Sequence, residues 1–169
     1  MPEIILTNRP VELKKPISWA NGITRVKSKH WACHIAMRKD GIVYESTAGK
    51  GVQMVPFTDW CKGREGTTLF IYFDLPEEMF DWGVFDTFYE AQTGYDYKAN
   101  ILYLFNMISL LEKKNKKRQF CSELVGNVIK EYMIKKEYKH QYERPFNLTP
   151  GMIELDLRDI GKLVLMDIH

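Results

Sequence analysis

The chain has 169 residues, is 45% hydrophobic and 13% aromatic, and carries 24 basic against 22 acidic side chains, a net charge of +2. That length predicts one domain over residues 1–169, with a core built on Phe, Tyr and Trp. The near-neutral balance excludes a nucleic-acid partner or a membrane surface recruited by field alone, and no apolar run approaches the roughly 18 residues of a stably inserted span.

The N-terminal stretch carries Glu3 and only a short apolar patch, so it does not read as a signal peptide. A cytoplasmic setting is expected, or a phage or other particle assembled in cytosol. Cys33, Cys61 and Cys121 are odd in number and far apart. Neither a disulfide framework nor a paired-cysteine metal motif follows, and each thiol is read as reduced.

In chain order, "EIIL" (3–6) is a short strand candidate, and "ISWANGITRV" (17–26) has apolar residues three apart, which predicts a helical turn. "HWACHIAM" and "IVYES" flank "RKDG", an Asp-Gly hairpin signal. "GVQMVPF" and "TTLFIYFDL" read as two further strands, the second apolar enough to lie centrally. Beyond Pro76 the pattern turns helical. "EEMFDWGVFDTFYEAQTG" (77–94) is a helix with Gly94 as its C-cap, and "KANILYLFNMISLLEKK" (98–114) is a second, buried one. "QFCSELVGNVIKEYMIKK" (119–136) is the third. "NLTPGMIELDLRDI" turns at Pro150-Gly151, and "KLVLMDI" (162–168) closes as a strand. Strands, then helices, then a strand argue for an α+β fold, with an antiparallel sheet packed against a small helical bundle.

A two-residue Asp40-Gly41 turn would pair Lys39 with Ile42, Met37 with Tyr44, Ala36 with Glu45 and His34 with Thr47. His34 and Glu45 then share a face as diagonal neighbours about 7–8 Å apart at the backbone, within reach of a carboxylate-to-imidazole hydrogen bond. A three-residue turn, Lys39-Asp40-Gly41, would instead send Glu45 to the opposite face. His30 and His34 also share a face on a strand, but Cys33 points away and no ligand stretch completes a set, so no metal site is expected.

Cys121 falls in the first turn of the third helix, at the edge of the stripe Phe120, Leu124, Val125, Val128, Ile129, Tyr132 and Met133. Free cysteine is often simply core. At a helix start, however, unpaired amides and the macrodipole favour a thiolate, and an adjacent imidazolium favours it further. Cys121, His34 and Glu45 would together supply a nucleophile, a base and a group that orients the base.

The order of "CHIAM", "VYESTAGKGVQMVPF", "GYDY", "FCSELV" and "LTPGMIEL", over roughly residues 28–156, resembles the circularly permuted branch of the NlpC-type papain-like cysteine hydrolases, the YiiX- and YaeF-like proteins. In that branch the histidine precedes the cysteine helix, as 34 precedes 121 here. The resemblance implies a permuted papain-like fold, in which a sheet or half-barrel carries the histidine and a helix carries the nucleophile. It implies Cys121 as nucleophile, His34 as general base and Glu45 as orienting group. Tyr95 of "GYDY" would line the substrate cleft near the sulfur. The implied reaction cleaves an amide, isopeptide or thioester bond through an acyl-enzyme and needs no cofactor; the implied substrate is peptide, peptidoglycan-like or acyl. The related lecithin retinol acyltransferase group has the same permuted order, which keeps a lipid acyltransferase or thioesterase open. So does a non-catalytic papain-like module in a phage particle. The charge run "KKNKKR" (113–118) has no interleaved aromatics and is read as a solvated loop.

Overall fold

A computed structural model of the protein describes residues 1–8, 34–62, 64–95, 118–137, 142–143 and 148–168. The helical turn expected at 17–26, the helix expected at 98–114, His30 and Cys33 lie outside those residues, as does all but Arg118 of the charge run.

An α+β architecture is observed. Six strands, β1 (Glu3–Asn8), β2 (His34–Lys39), β3 (Ile42–Thr47), β4 (Gly51–Pro56), β5 (Thr68–Phe73) and β8 (Lys162–Asp167), form an antiparallel sheet in the order β4-β3-β2-β1-β5-β8. The apolar stretch of β5 lies inside the sheet between β1 and β8, as its composition predicts. A separate two-stranded parallel pair joins β6 (Gly94–Tyr95) to β7 (Arg118–Gln119).

The alternation of side chains divides the sheet into two faces. On one, Ile4, Leu6, Ile35, Met37, Phe70 and Tyr72 pack against the helical layer. Among the described residues that layer consists of a 3₁₀ turn (Glu77–Met79), α2 (Trp82–Glu90), α3 (Cys121–Lys135) and α4 (Pro150–Leu157). On the other, Ile5, Ala36, Val43, Leu69 and Ile71 are covered by Trp60 of α1 (Phe57–Cys61), a short helix with no sequence signal of its own. Helix α3 lies across β2 and β3 with Leu124, Val125, Val128, Ile129 and Met133 buried and Phe120 buried just ahead of its first residue, which is the expected stripe without the half-buried Tyr132. Its start is tied down by Ser122 Oγ, which donates to the Leu148 carbonyl at 2.6 Å.

Two expected boundaries move. The helix after Pro76 breaks at Phe80–Asp81, where the Asp81 side chain accepts from the Val84 amide and caps α2. It then ends at Glu90 instead of running to Gly94. The Gln92 amide bonds the Tyr89 carbonyl and the Thr93 amide bonds the Phe88 carbonyl, the paired closure of a Schellman motif, with Gln92 at φ 49° in the position usually held by glycine. At the other site, Pro150-Gly151 does not turn the chain but opens α4. The Thr149 hydroxyl accepts from the Met152 amide, and proline occupies the first turn, where a missing N–H costs nothing.

Gly51 sits where two stretches of backbone cross closely. Its φ is +74°, and a Cβ there would lie 2.3 Å from the Thr93 carbonyl oxygen, which accepts the Val52 amide at 2.9 Å. This close crossing lets the segment leading into β6 run over the β4 edge. Gly51→Ala should therefore destabilise the protein by about 2 kcal/mol or more, combining overpacking with left-handed strain; the urea midpoint measures it.

Candidate active site

The hairpin joining β2 and β3 has the two-residue turn. Asp40 and Gly41 have φ 51° and 78°, as a type I′ turn requires, and Met37 faces Tyr44 while Lys39 faces Ile42. The register that keeps Glu45 on the face of His34 is thus the one formed, and His34 Nε2 lies 2.7 Å from Glu45 Oε2.

Glu45 is 1% exposed and takes donors from three further side chains. Gln53, its partner across β3 and β4, donates to Oε1 at 2.7 Å. Trp60 Nε1 donates to Oε2 at 2.8 Å, and Arg64 Nη2 approaches Oε2 at 3.5 Å. Arg64 is itself fixed, stacking on the Trp60 ring at 4.0 Å and donating to the Trp60 carbonyl at 2.6 Å. Burial alone would raise the Glu45 pKa, but the His34 hydrogen bond and charge, the Trp60 N–H and the Arg64 charge hold it down at about 2. Among the expected site residues the sequence reading did not include Gln53, Trp60 or Arg64. Gln53 had a findable signal, because the β3–β4 pairing places it opposite Glu45.

Cys121 is the first residue of α3 and is 6% exposed. The His34 imidazole and the backbone N–H groups of Ile35 and Ser122 lie close enough to its sulfur to favour the charged form. Because Nε2 of His34 serves Glu45, Nδ1 is the nitrogen left for the sulfur. Burial pushes the Cys121 thiol up; the charge of His34, the hydrogen bond to it and the two amides outweigh that and lower the pKa. For His34, burial opposes protonation, while the charge and hydrogen bond of Cys121, followed by those of Glu45, raise the pKa to about 10. The favoured state is a thiolate–imidazolium pair backed by a carboxylate.

Three of the four expected residues are therefore brought together. The fourth, Tyr95, has its backbone in β6 beside Gln119, two residues before Cys121, but its side chain lies outside the described residues. Among the described residues, no three His, Cys, Asp or Glu side chains cluster as a metal ion would need, and no helix is long and apolar enough to cross a membrane. Compared with protein-family models, with curated proteins and with solved structures, the chain has no match.

The shifts fix the sign of a pH dependence. The raised His34 pKa gives stability that is complete below 6.5, its ordinary value, and lost as pH rises towards 10. The lowered Cys121 pKa gives stability that is complete above 9.0 and lost as pH falls through its folded value. Between 6.5 and 9.0 the two slopes oppose each other, because the folded His34 keeps a proton that the unfolded ring gives up while the folded Cys121 gives up one that the unfolded thiol keeps. Glu45 adds a further loss as pH falls from 4.5 towards 2. The thermal midpoint should fall as pH rises above 9.0, and fall on the acid side as Cys121 and then Glu45 bind protons; a His34→Ala/Cys121→Ala double variant should lack the alkaline fall. Trp60→Phe keeps the ring but removes one donor from a buried carboxylate. It should cost about 1–3 kcal/mol in chemical denaturation and raise the Glu45 pKa.

Proposed function

We infer that the protein is a papain-like cysteine hydrolase in the circularly permuted order, acting on an amide, isopeptide or thioester bond. One observation carries the reading. Sulfur, imidazole and carboxylate, from a helix start and a β-hairpin 76 residues or more apart in sequence, meet in the order a nucleophile, its base and an orienting group need.

Cys121 thiolate attacks the substrate carbonyl carbon, forming the C–S bond as the carbonyl π electrons move to oxygen. The Cys121 backbone N–H, which has no acceptor inside the helix, is the donor for that oxyanion. As the tetrahedral species collapses, the bond to the leaving group breaks and His34 gives that group its proton. Neutral His34 then takes a proton from water as the oxygen attacks the acyl carbon. Expulsion of the thiolate releases the acid and restores the starting pair. Glu45 holds the ring and stabilises its positive form throughout.

A second reading, a papain-like binding or structural module, draws on the low exposure of Cys121, since a nucleophile must be reachable. Iodoacetamide labelling separates the two. At about pH 6.5, Cys121 should react well ahead of an ordinary thiol, and His34→Ala should lower that rate roughly 10²-fold. A Cys121 that labels no faster than free cysteine, and no turnover of peptide, isopeptide or acyl-thioester probes relative to Cys121→Ala, would leave the module reading.

A further inference from the structure

A recess of about 540 Å³ opens between the turn joining β3 to β4 and the C-terminus of α2, lined by Lys50, Val52, Tyr89, Glu90 and Gln92. Its position relates it to the catalytic residues. Val52 belongs to the same buried cluster as Cys121, on the α3 face of the sheet. The Val52 amide binds the Thr93 carbonyl, and the chain then runs through β6 to Tyr95, which pairs with Gln119 just before Cys121. Gln92 to Tyr95 is about 10 Å of extended chain, the step across to Gln119 adds about 5 Å and the two residues to Cys121 about 7 Å, so a ligand of roughly six extended residues could join the recess to the sulfur.

The chemistry of the lining is mixed and polar. Lys50 and Glu90 are exposed, and neither pairs with another charge among the described residues. Gln92 offers an amide that both donates and accepts, and Tyr89 offers an exposed ring. Gln92 also holds the left-handed helix-terminating position, at φ 49°, where glycine would be unstrained. Glycine would close α2 equally well, but would remove the side chain from the recess. A strained residue lining a cavity at this end of the sheet is a motive to look for a ligand.

We propose that this recess is a subsite for the distal end of a peptide substrate, with Lys50 binding a terminal carboxylate and Gln92 a backbone amide. Glu90 accepts from peptide N–H groups, which a fatty acid lacks. The proposal rests on the hydrolase reading and narrows it, because a lipid acyl chain would gain nothing from this lining.

The test is a chemical-shift titration of the full chain carrying Cys121→Ala, which prevents turnover, with trialanine, trialanine amide and sodium octanoate. Trialanine should shift residues 50–52 and 89–93, and its amide should bind roughly tenfold more weakly. Lys50→Ala should erase that difference. Gln92→Gly should weaken trialanine binding while raising the thermal midpoint, which separates lost contact from lost folding. No shifts at these residues up to tens of millimolar trialanine, equal binding of the amide, or octanoate moving the same residues as strongly would overturn the subsite. Failure of the hydrolase reading is scored separately, by Cys121 labelling in the unsubstituted chain.

Discussion

A carboxylate buried to 1% exposure can stay charged only if donors replace the water it has lost, and Glu45 sets that requirement for this molecule. Its donors come from separate pieces of chain: His34 opens β2, Gln53 lies on β4, Trp60 on α1, and Arg64 just beyond it. Each is in place only if the sheet register is right, so the ionised state of one side chain tests the whole β2–β3–β4 arrangement. Removing a single partner is costly because the remaining charge stays buried. The hydrophobic face around Ala36, Val43 and Ile71 surrounds this polar cluster and is closed over it by Trp60, which serves as both core and donor.

The opposite face brings Cys121. Helix α3 buries its apolar stripe against β2 and β3, and that packing presents its first residue to the end of β2 where His34 sits. Sulfur and imidazole therefore meet at the boundary between the two cores. The amide of Ile35, in the strand beside His34, and that of Ser122, in the first turn of the helix, both point at the sulfur. Backbone geometry, which costs nothing to reorganise, thus reinforces what the imidazolium does by charge.

Much of this was legible from residue order because the signals were local. Asp40-Gly41 marks the turn and narrows the register to two choices, and the positive φ of both residues with Lys39 facing Ile42 selects the one that keeps Glu45 on the face of His34. The periodicity of α3 is long enough to fix both its existence and its buried side. What escaped was either short or non-local. Five residues of α1 carry no readable period, so Trp60 gave no hint that it would reach a carboxylate 15 residues earlier. The end of α2 was misplaced because Gly94 looks like a cap, whereas Gln92 takes the cap and Gly94 is used in the crossing at Gly51. Pro150-Gly151 reads equally as a turn or a helix start, and the Thr149 hydroxyl decides it.

On the proposed reading, the balance of charges also explains how a histidine held near pKa 10 can serve as an acid at neutral pH. Among the influences that raise it, the charge on Cys121 comes first and Glu45 follows. Attack on a carbonyl removes that charge from sulfur, and collapse of the oxyanion removes it from the site. What is left around His34 is burial, which favours the neutral ring, opposed by Glu45 alone. The proton is therefore held tightly while the thiolate needs a counter-ion and loosened once the acyl bond has formed, when the leaving group needs it. The neutral ring that results is then the base for water. Without Glu45 the ring would be driven neutral by burial and would lose its fixed orientation; with it, the ring stays aligned through both steps while its basicity follows the charge on sulfur.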